Sequence, residues 1–392
     1  MAPLEPWEKV LVNAQKFPQT VHGHIPCTKC HGGMQSSDKE TAHTELIARP
    51  SEGNPNACSE CHPNVASVYA NSLHATQQGY WTVLEARSAP ENHPALEEMF
   101  GNHCARCHSS CGDCHVGQPA SVGGGLFDGH LFTRTPPMTR SCTACHGSRV
   151  GNEYLGKNEG YPGDVHFREG RINCINCHTG HELYGQPAEC SQCHTSPQET
   201  ALAPANHRYA GLQSPTCESC HPDVTLRADN IEMHTVHGAD LSCQVCHSIS
   251  YTSCDGCHVA ISEKSGKPFF ETEGTYFTFL IGRNPLRSFT RPYKYVPLRH
   301  IPAIPDGYAF YGKDLLPNFN VLPTWAYTTP HNIQRKTPQT ESCNACHGNP
   351  ALFLTADKVR PEELEANAPV IVPAIPAPIA TENDTIEGTT SP

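Results

Sequence analysis

Every one of the 22 cysteines in this chain of 392 residues falls in the same short pattern. The pairs are Cys27 and Cys30, Cys58 and Cys61, Cys104 and Cys107, Cys111 and Cys114, Cys142 and Cys145, Cys174 and Cys177, Cys190 and Cys193, Cys217 and Cys220, Cys243 and Cys246, Cys254 and Cys257, and Cys343 and Cys346. Each second cysteine is followed at once by a histidine: His31, His62, His108, His115, His146, His178, His194, His221, His247, His258 and His347. That makes 11 Cys-x-x-Cys-His units with no cysteine left over, numbered below as the first to eleventh motif in chain order. On a helical turn, two thiols three residues apart can bond the two vinyl groups of one porphyrin, and the adjacent imidazole is then held beneath the iron. This is the attachment chemistry of haem c. A zinc site or a disulfide framework has no need for a histidine after each second cysteine. The sequence therefore predicts 11 covalently attached haems, with all 22 cysteines as thioether sites and these histidines as proximal iron ligands.

An iron held on one side can be closed on the other. Of the 25 histidines, 14 lie outside the motifs, and the chain has only 5 methionines. Methionine, which raises the potential of a haem, cannot serve most of these irons, so mostly bis-histidine ligation is expected. The candidates for the distal position are His22, His43, His74, His93, His103, His130, His166, His207, His234, His237 and His331, which leaves His24, His181 and His300 as spares. Repeats support several of them. His130-Leu131-Phe132-Thr133-Arg134 leads to Cys142-Thr143-Ala144-Cys145-His146-Gly147, and His331-Asn332-Ile333-Gln334-Arg335 leads to Cys343-Asn344-Ala345-Cys346-His347-Gly348; without a gap, 10 of 18 positions match, so His130 and His331 should play one role. Cys58–Pro63 repeats as Cys217–Pro222, which aligns His74 with His234, and Thr-Val-His-Gly occurs around both His22 and His237. His166 and His207 lie upstream of Cys174 and Cys217, and His43 and His93 upstream of Cys58 and Cys104. His103 abuts Cys104 and can reach only a neighbouring haem.

The scaffold that must hold these groups is poor in ordinary core material. Hydrophobic residues make up 37% and charged residues 17%, with 35 prolines and 30 glycines, so two conventional apolar cores are not available for a chain of this length. At about 36 residues per motif, the macrocycles themselves would fill the interior. The expected fold is a multihaem one: mostly coil with short α-helices wrapped around a chain of stacked haems. Residues 1–258 hold ten motifs. Residues 259–342 form a motif-free insertion whose stretch 269–327 carries 14 of the 29 aromatics, and runs such as Tyr276–Ile281 and Tyr293–Val296 read as strands, so it is expected to be β-rich and packed over haem faces. Residues 343–366 contain the last motif and, from Pro361, a short helix. Residues 367–392 are a Pro/Ala/Thr-rich tail whose apolar stretch Val370–Ile379 suggests either a docking segment or a stalk; Asn383-Asp384-Thr385 matches a glycosylation sequon.

These motifs, from Cys27 to His347, make the chain similar to bacterial and archaeal multihaem c-type cytochromes. The resemblance implies one of two branches. One comprises electron-conduit cytochromes, including extracellular ones that polymerise into haem-stacked filaments, where a histidine can ligate a haem of the next subunit. The other, more distant, comprises enzymes similar to octahaem tetrathionate reductase and hydroxylamine oxidoreductase, which usually leave one haem open or alter its motif; the nitrite-reductase type has lysine in place of the motif histidine. All 11 motifs here end in histidine, which leans toward conduction.

The expected function is thus electron transfer through the haem chain, in extracellular electron transfer and as a filament-forming nanowire, with no catalytic residue. The alternatives are a multihaem oxidoreductase acting on a small nitrogen or sulfur compound at an open haem, and a structural filament in which conduction is incidental. Expected partners are other cytochromes, extracellular or mineral electron acceptors and further copies of the chain. The net charge of -12 excludes a nucleic-acid partner, and no apolar run is long enough for a transmembrane segment. No export signal is visible at Met1–Pro6, yet haem attachment takes place outside the cytoplasm, so an exported protein, periplasmic or extracellular, is expected.

Overall fold

The computed structural model describes residues 4–53, 55–105, 109–119, 122–178, 216–225, 229–285, 287, 292–301 and 304–380. Cys107 and His108 of the third motif, the whole seventh motif (Cys190, Cys193 and His194), His181, His207 and the sequon therefore lie outside the described residues, as does the side chain of Cys257. The chain is built from helices of one to three turns joined by coil, with two small sheets, in keeping with the expected mixture. Among the described residues, no helix is long and apolar enough to cross a membrane.

Eight described motifs start on a helical turn, and local chemistry explains why. The residue before the helix is often one whose side chain accepts a first-turn N–H that the helix itself leaves unpaired. Asn56 takes Cys58 N at 3.0 Å, Thr216 takes Ser219 N at 3.3 Å and Ser342 takes Ala345 N at 3.1 Å. Asp113, inside the fourth motif, reaches back to Ser110 N at 2.8 Å, and Asn176, inside the sixth, to Asn173 N at 2.9 Å. The tenth motif departs from this pattern. It lies on strand β1 (Tyr251–Ile261), which pairs antiparallel with β2 (Pro268–Thr278) and sets Cys257 opposite Thr272 and His258 opposite Glu271.

The second sheet has three strands in the order β3 (Leu280–Arg283), β4 (Tyr295–His300), β5 (Trp325–Tyr327), all antiparallel. Leu280, Val296, Leu298, Trp325, Leu354, Val359 and Val370 form one apolar cluster on it. A second cluster joins Tyr251, Phe279, Ile281, Phe353 and Val372 to Val245 of the ninth motif, with Cys346 of the eleventh packed against it. The sheet is thus the floor on which the ninth and eleventh motifs stand. A third cluster, around Leu96, Met99 and Phe100, packs the helix His93–His103 under Leu315 and Leu316.

The tail corrects one expectation. The apolar stretch after residue 367 is neither a stalk nor a docking segment where it is described: Val370 is 0% and Val372 3% exposed, both inside this chain's own clusters. Arg283 N–H donates to Val370 O and Val372 N–H to Leu354 O. Its apolar side chains find cover beside β3, which is why so apolar a segment remains tolerable at a surface.

Beneath the sheet a buried polar knot closes the fold. His300, 2% exposed, bonds Asp255 through Nδ1 at 2.7 Å and Glu363 through Nε2 at 3.0 Å. Thr324 Oγ1 donates to Glu363 at 2.8 Å, and Asn367 Nδ2 donates to Thr324 and to Glu363 O. Both ring nitrogens of His300 are taken, which suits a structural residue. Burial pushes the Glu363 carboxyl up, but hydrogen bonds from His300 and Thr324 outweigh it and hold it below the usual range. A carboxyl lowered on folding stabilises the protein above its unfolded pKa, and that contribution fades as pH falls through the folded value. His300→Ala leaves Glu363 buried without one of its hydrogen-bond partners and is expected to destabilise the loaded protein by about 2 kcal/mol. Denaturant unfolding at neutral pH checks this; an unchanged midpoint would contradict it.

Candidate functional site

The motif histidines and the other histidines meet in pairs. His31 faces His130 with ring centres 5.9 Å apart, and His62 faces His22 at 6.3 Å. His146 faces His74 at 6.2 Å, and His178 faces His331 at 6.4 Å. His221 faces His166 at 6.2 Å, His247 faces His234 at 6.0 Å, and His347 faces His237 at 6.1 Å. Every pair joins one motif histidine to one distal candidate. Two imidazoles on opposite sides of a metal, with metal–nitrogen bonds of about 2 Å, hold their ring centres roughly 6.4 Å apart. Edge-to-face ring pairs without a metal, such as Tyr251 with Phe279 at 6.1 Å, share this spacing, so the distinguishing feature is the pairing of one motif histidine with one other histidine each time. The pair spacing fits an iron between two axial imidazoles.

Among the described residues the cysteines form no disulfide, which leaves each motif's pair available for thioether attachment. The second cysteine of each motif stands one turn on from the first. Cys30 closes that turn inside the helix Cys27–His31, Cys61 caps the turn Ala57–Glu60, and Cys220 ends the helix Cys217–Cys220. Cys61, Cys177 and Cys220 are exposed, whereas Cys30, Cys114, Cys145, Cys246 and Cys346 are half-buried. Of the expected thioether sites, Cys107, Cys190 and Cys193 lie outside the described residues, and the strand position of Cys257 is at odds with the turn that the other motifs share.

Hydrogen bonds select the nitrogen that would bind. When Nδ1 donates to a carbonyl or carboxylate, the proton is fixed there and Nε2 keeps its lone pair for a metal. Among the proximal residues, Nδ1 of His31 meets Ile47 O at 2.9 Å, that of His115 Thr133 O at 2.7 Å, that of His247 Gln334 O at 3.1 Å and that of His347 Ala377 O at 3.0 Å. Among the distal candidates, Nδ1 of His43 meets Lys39 O at 2.6 Å, that of His166 meets Asp164 Oδ1 at 3.0 Å, and that of His234 meets Asp229. Burial pushes His331 down to about 4 and also lowers His130 and His247. These rings are neutral, as ligands must be. His93 Nε2 is buried with no hydrogen-bond partner, an orphan that a metal would satisfy.

The remaining candidates are placed differently. His103 Nε2 bonds Tyr311 Oη at 2.7 Å, so the nitrogen needed for an iron is shared with a phenol. His24 is exposed on the turn His22–His24. At the tenth motif, His258 Nε2 lies 3.2 Å from Glu271, and Cys254 Sγ accepts from Arg299 at 3.7 Å. An extended chain spreads the motif from Cys254 to Cys257 over roughly 3.3 Å per residue, against about 1.5 Å on a helix, so the strand form of this one motif does not fit a single porphyrin edge. Ser253, just before it, has a buried Oγ with no partner, the group that caps other motifs when they turn. Among the described residues, no group of three or more His, Cys, Asp or Glu converges on one point.

Sequence reasoning named the imidazoles but not their supports. Asp164 and Asp229 stand two and five residues before the histidines they hold, a signal that was available. The carbonyls of Ile47, Thr133, Gln334 and Ala377 carry no sequence signal at all. The pairings were also hidden, because each partner comes from a distant segment: His130, just upstream of the fifth motif, closes on the first.

No protein-family model matches this chain, and no solved structure does. It is 24% identical over 234 residues, 51% of its own length, to the multiheme cytochrome MtrA of Shewanella baltica, of which 67% is covered.

Two outcomes follow for the haem-loaded protein. His331→Ala is expected to open one iron, adding a high-spin ferric signal of one equivalent in electron paramagnetic resonance; an unchanged spectrum would remove His331 from the ligand set. Asp229→Asn weakens the negative charge behind His234 and is expected to raise one potential by tens of millivolts in a redox titration; a fall would contradict the assignment. The likeness to MtrA, a multiheme cytochrome, is in keeping with the motif pattern.

Proposed function

We propose that this chain is an exported conduit that carries single electrons along c-type haems attached at its 11 motifs, most of them closed by histidine on both sides. The observation that carries this reading is the set of seven histidine pairs, each uniting a motif histidine with one from elsewhere at 5.9 to 6.4 Å. Bound haem supplies a one-electron iron couple. The chain's own part is to hold each imidazole at the right tautomer and distance, and to keep its rings neutral by burial and by bonds to Nδ1. An iron with protein on both faces has no coordination position left for a substrate, which favours conduction over catalysis. The distal set for this reading is His22, His43, His74, His93, His103, His130, His166, His207, His234, His237 and His331, of which His103 is the least suited because of Tyr311.

Electron exchange is proposed with other cytochromes and with extracellular acceptors, including minerals. A head-to-tail polymer extends this reading. It is favoured by the exposure of Cys27 and Cys343, which open the first and last motifs.

Intact mass and spin state test the proposal together. Secreted protein is expected to carry the added mass of 11 haems and to lack a stoichiometric high-spin ferric signal. A count of ten would point to the tenth motif, which lies on β1. No added mass would overturn the proposal, and a full high-spin equivalent with turnover of nitrite, hydroxylamine or tetrathionate would move it to the enzyme branch.

A further inference from the structure

The contacts around the motifs occur twice. One set involves the first, second, fourth and fifth motifs, and the other involves the sixth, eighth, ninth and eleventh. In each set the last motif is preceded by the matching 18-residue stretch, and the histidine that opens the stretch turns back to the first motif of its own set: His130 to His31 at 5.9 Å, His331 to His178 at 6.4 Å. Three residues on, one backbone position serves the third motif of the set. Thr133 O meets His115 Nδ1 at 2.7 Å and Thr133 N–H donates to His115 O at 2.8 Å. Gln334 O meets His247 Nδ1 at 3.1 Å and Gln334 N–H donates to His247 O at 2.7 Å.

The other positions follow suit. The histidine just upstream of each first motif closes on the second: His22 on His62, His166 on His221. The short helix after each second motif, Leu73–Thr76 or Glu232–His237, supplies the partner of the last: His74 for His146, His237 for His347. The first thiols of the second and third motifs of each set lie close enough to perturb each other, Cys58 beside Cys111 and Cys217 beside Cys243, and Cys243 Sγ also meets Glu218 of the eighth motif at 3.8 Å. One such match could be chance. Five kinds of match in the same order are the mark of one unit used twice.

Neighbouring motifs within a unit touch in succession. Lys29 of the first motif pairs with Glu60 of the second at 2.7 Å, and Phe132 lies against both of their distal rings, His22 and His130. Tyr69 Oη bonds Ser109 just before the fourth motif, while His74 a few residues on reaches the fifth. In the second unit His234 and His237 stand one turn apart on a single helix and serve the ninth and eleventh motifs. Gln339 Nε2, just before the eleventh, donates to Val245 O of the ninth at 3.1 Å. The two units meet where the fifth motif faces the sixth: Glu153 accepts from His331 N at 3.0 Å, and Cys142 lies close enough to Cys174 for the two thiols to perturb each other. Asp164 then ties the sixth to the eighth by accepting from both His166 N and Ile333 N at 2.7 Å.

We infer that the chain is a tandem of two four-site units joined head to tail, whose haem sites form one line in the order first, second, fourth, fifth, sixth, eighth, ninth, eleventh. The line ends at the Cys27 and Cys343 motifs, whose leading cysteines are exposed, whereas their counterparts at the joint, Cys174 and Cys142, are half-buried. Electrons enter and leave at these two ends. The third and tenth motifs sit next in sequence to the repeated third site of each unit. This rests on the reading that the motifs carry haem, which the mass of the same sample establishes separately.

A cryo-microscopy map of the haem-loaded full chain tests it. The irons of these eight motifs are expected in the stated succession, with those of the fifth and sixth motifs as neighbours, His130 on the first iron and His331 on the sixth. An iron of the third, seventh or tenth motif between two consecutive members, or His130 bound to the haem of its own adjacent fifth motif, would overturn the inference while leaving haem loading intact.

Discussion

The spacing between two imidazoles is the constraint on which everything else depends. A centre-to-centre spacing of about 6 Å is shared by ordinary edge-to-face ring pairs such as Tyr251 with Phe279. What sets the histidine pairs apart is that each unites a motif imidazole with one from elsewhere, at a spacing that also admits a metal between the two nitrogens. In this chain several such pairs also close long loops: His31 with His130, His178 with His331, His237 with His347. Long loops are costly in chain entropy, and a bond between their ends is what offsets it. The imidazole pairs therefore act as cross-links in a protein whose helices are one to three turns long and could not stand alone. The conventional clusters around the second sheet hold only one end of the molecule, the ninth and eleventh motifs with the segment that follows them.

Electrostatics differs between sites that share this geometry. Four motif histidines lean on backbone carbonyls, while His166 and His234 lean on the carboxylates of Asp164 and Asp229. A full negative charge behind an imidazole strengthens it as a donor and favours the oxidised metal. The two carboxylate-backed rings belong to the eighth and ninth motifs, which touch through Cys217 and Cys243.

Legibility in the sequence followed the range of the interaction. The motifs are local, so their helical turns and capping residues, such as Asn56 and Ser342, could be read from adjacent positions. The identities of His22, His74, His130, His166, His234, His237 and His331 as ring partners were also legible, because the motif histidines were already accounted for and the repeats marked the rest. Which ring meets which was not, since the pairing spans up to 153 residues between His178 and His331 and depends on how the whole chain folds back. The tail misled for a related reason: Val370 and Val372 look like a partner's surface until the sheet that covers them is known. The tenth motif shows the reverse case, where the strong local signal of Cys254, Cys257 and His258 lies on a strand because Tyr251 and the aromatic run of β2 favour sheet pairing.

Near-infrared magnetic circular dichroism of the oxidised, haem-loaded protein reads both axial ligands of each ferric haem and is the most direct measurement of the central claim. Bis-imidazole charge-transfer intensity equal to at least seven irons is the result this account gives for the seven ring pairs. A spectrum dominated by histidine–methionine or high-spin bands would contradict it.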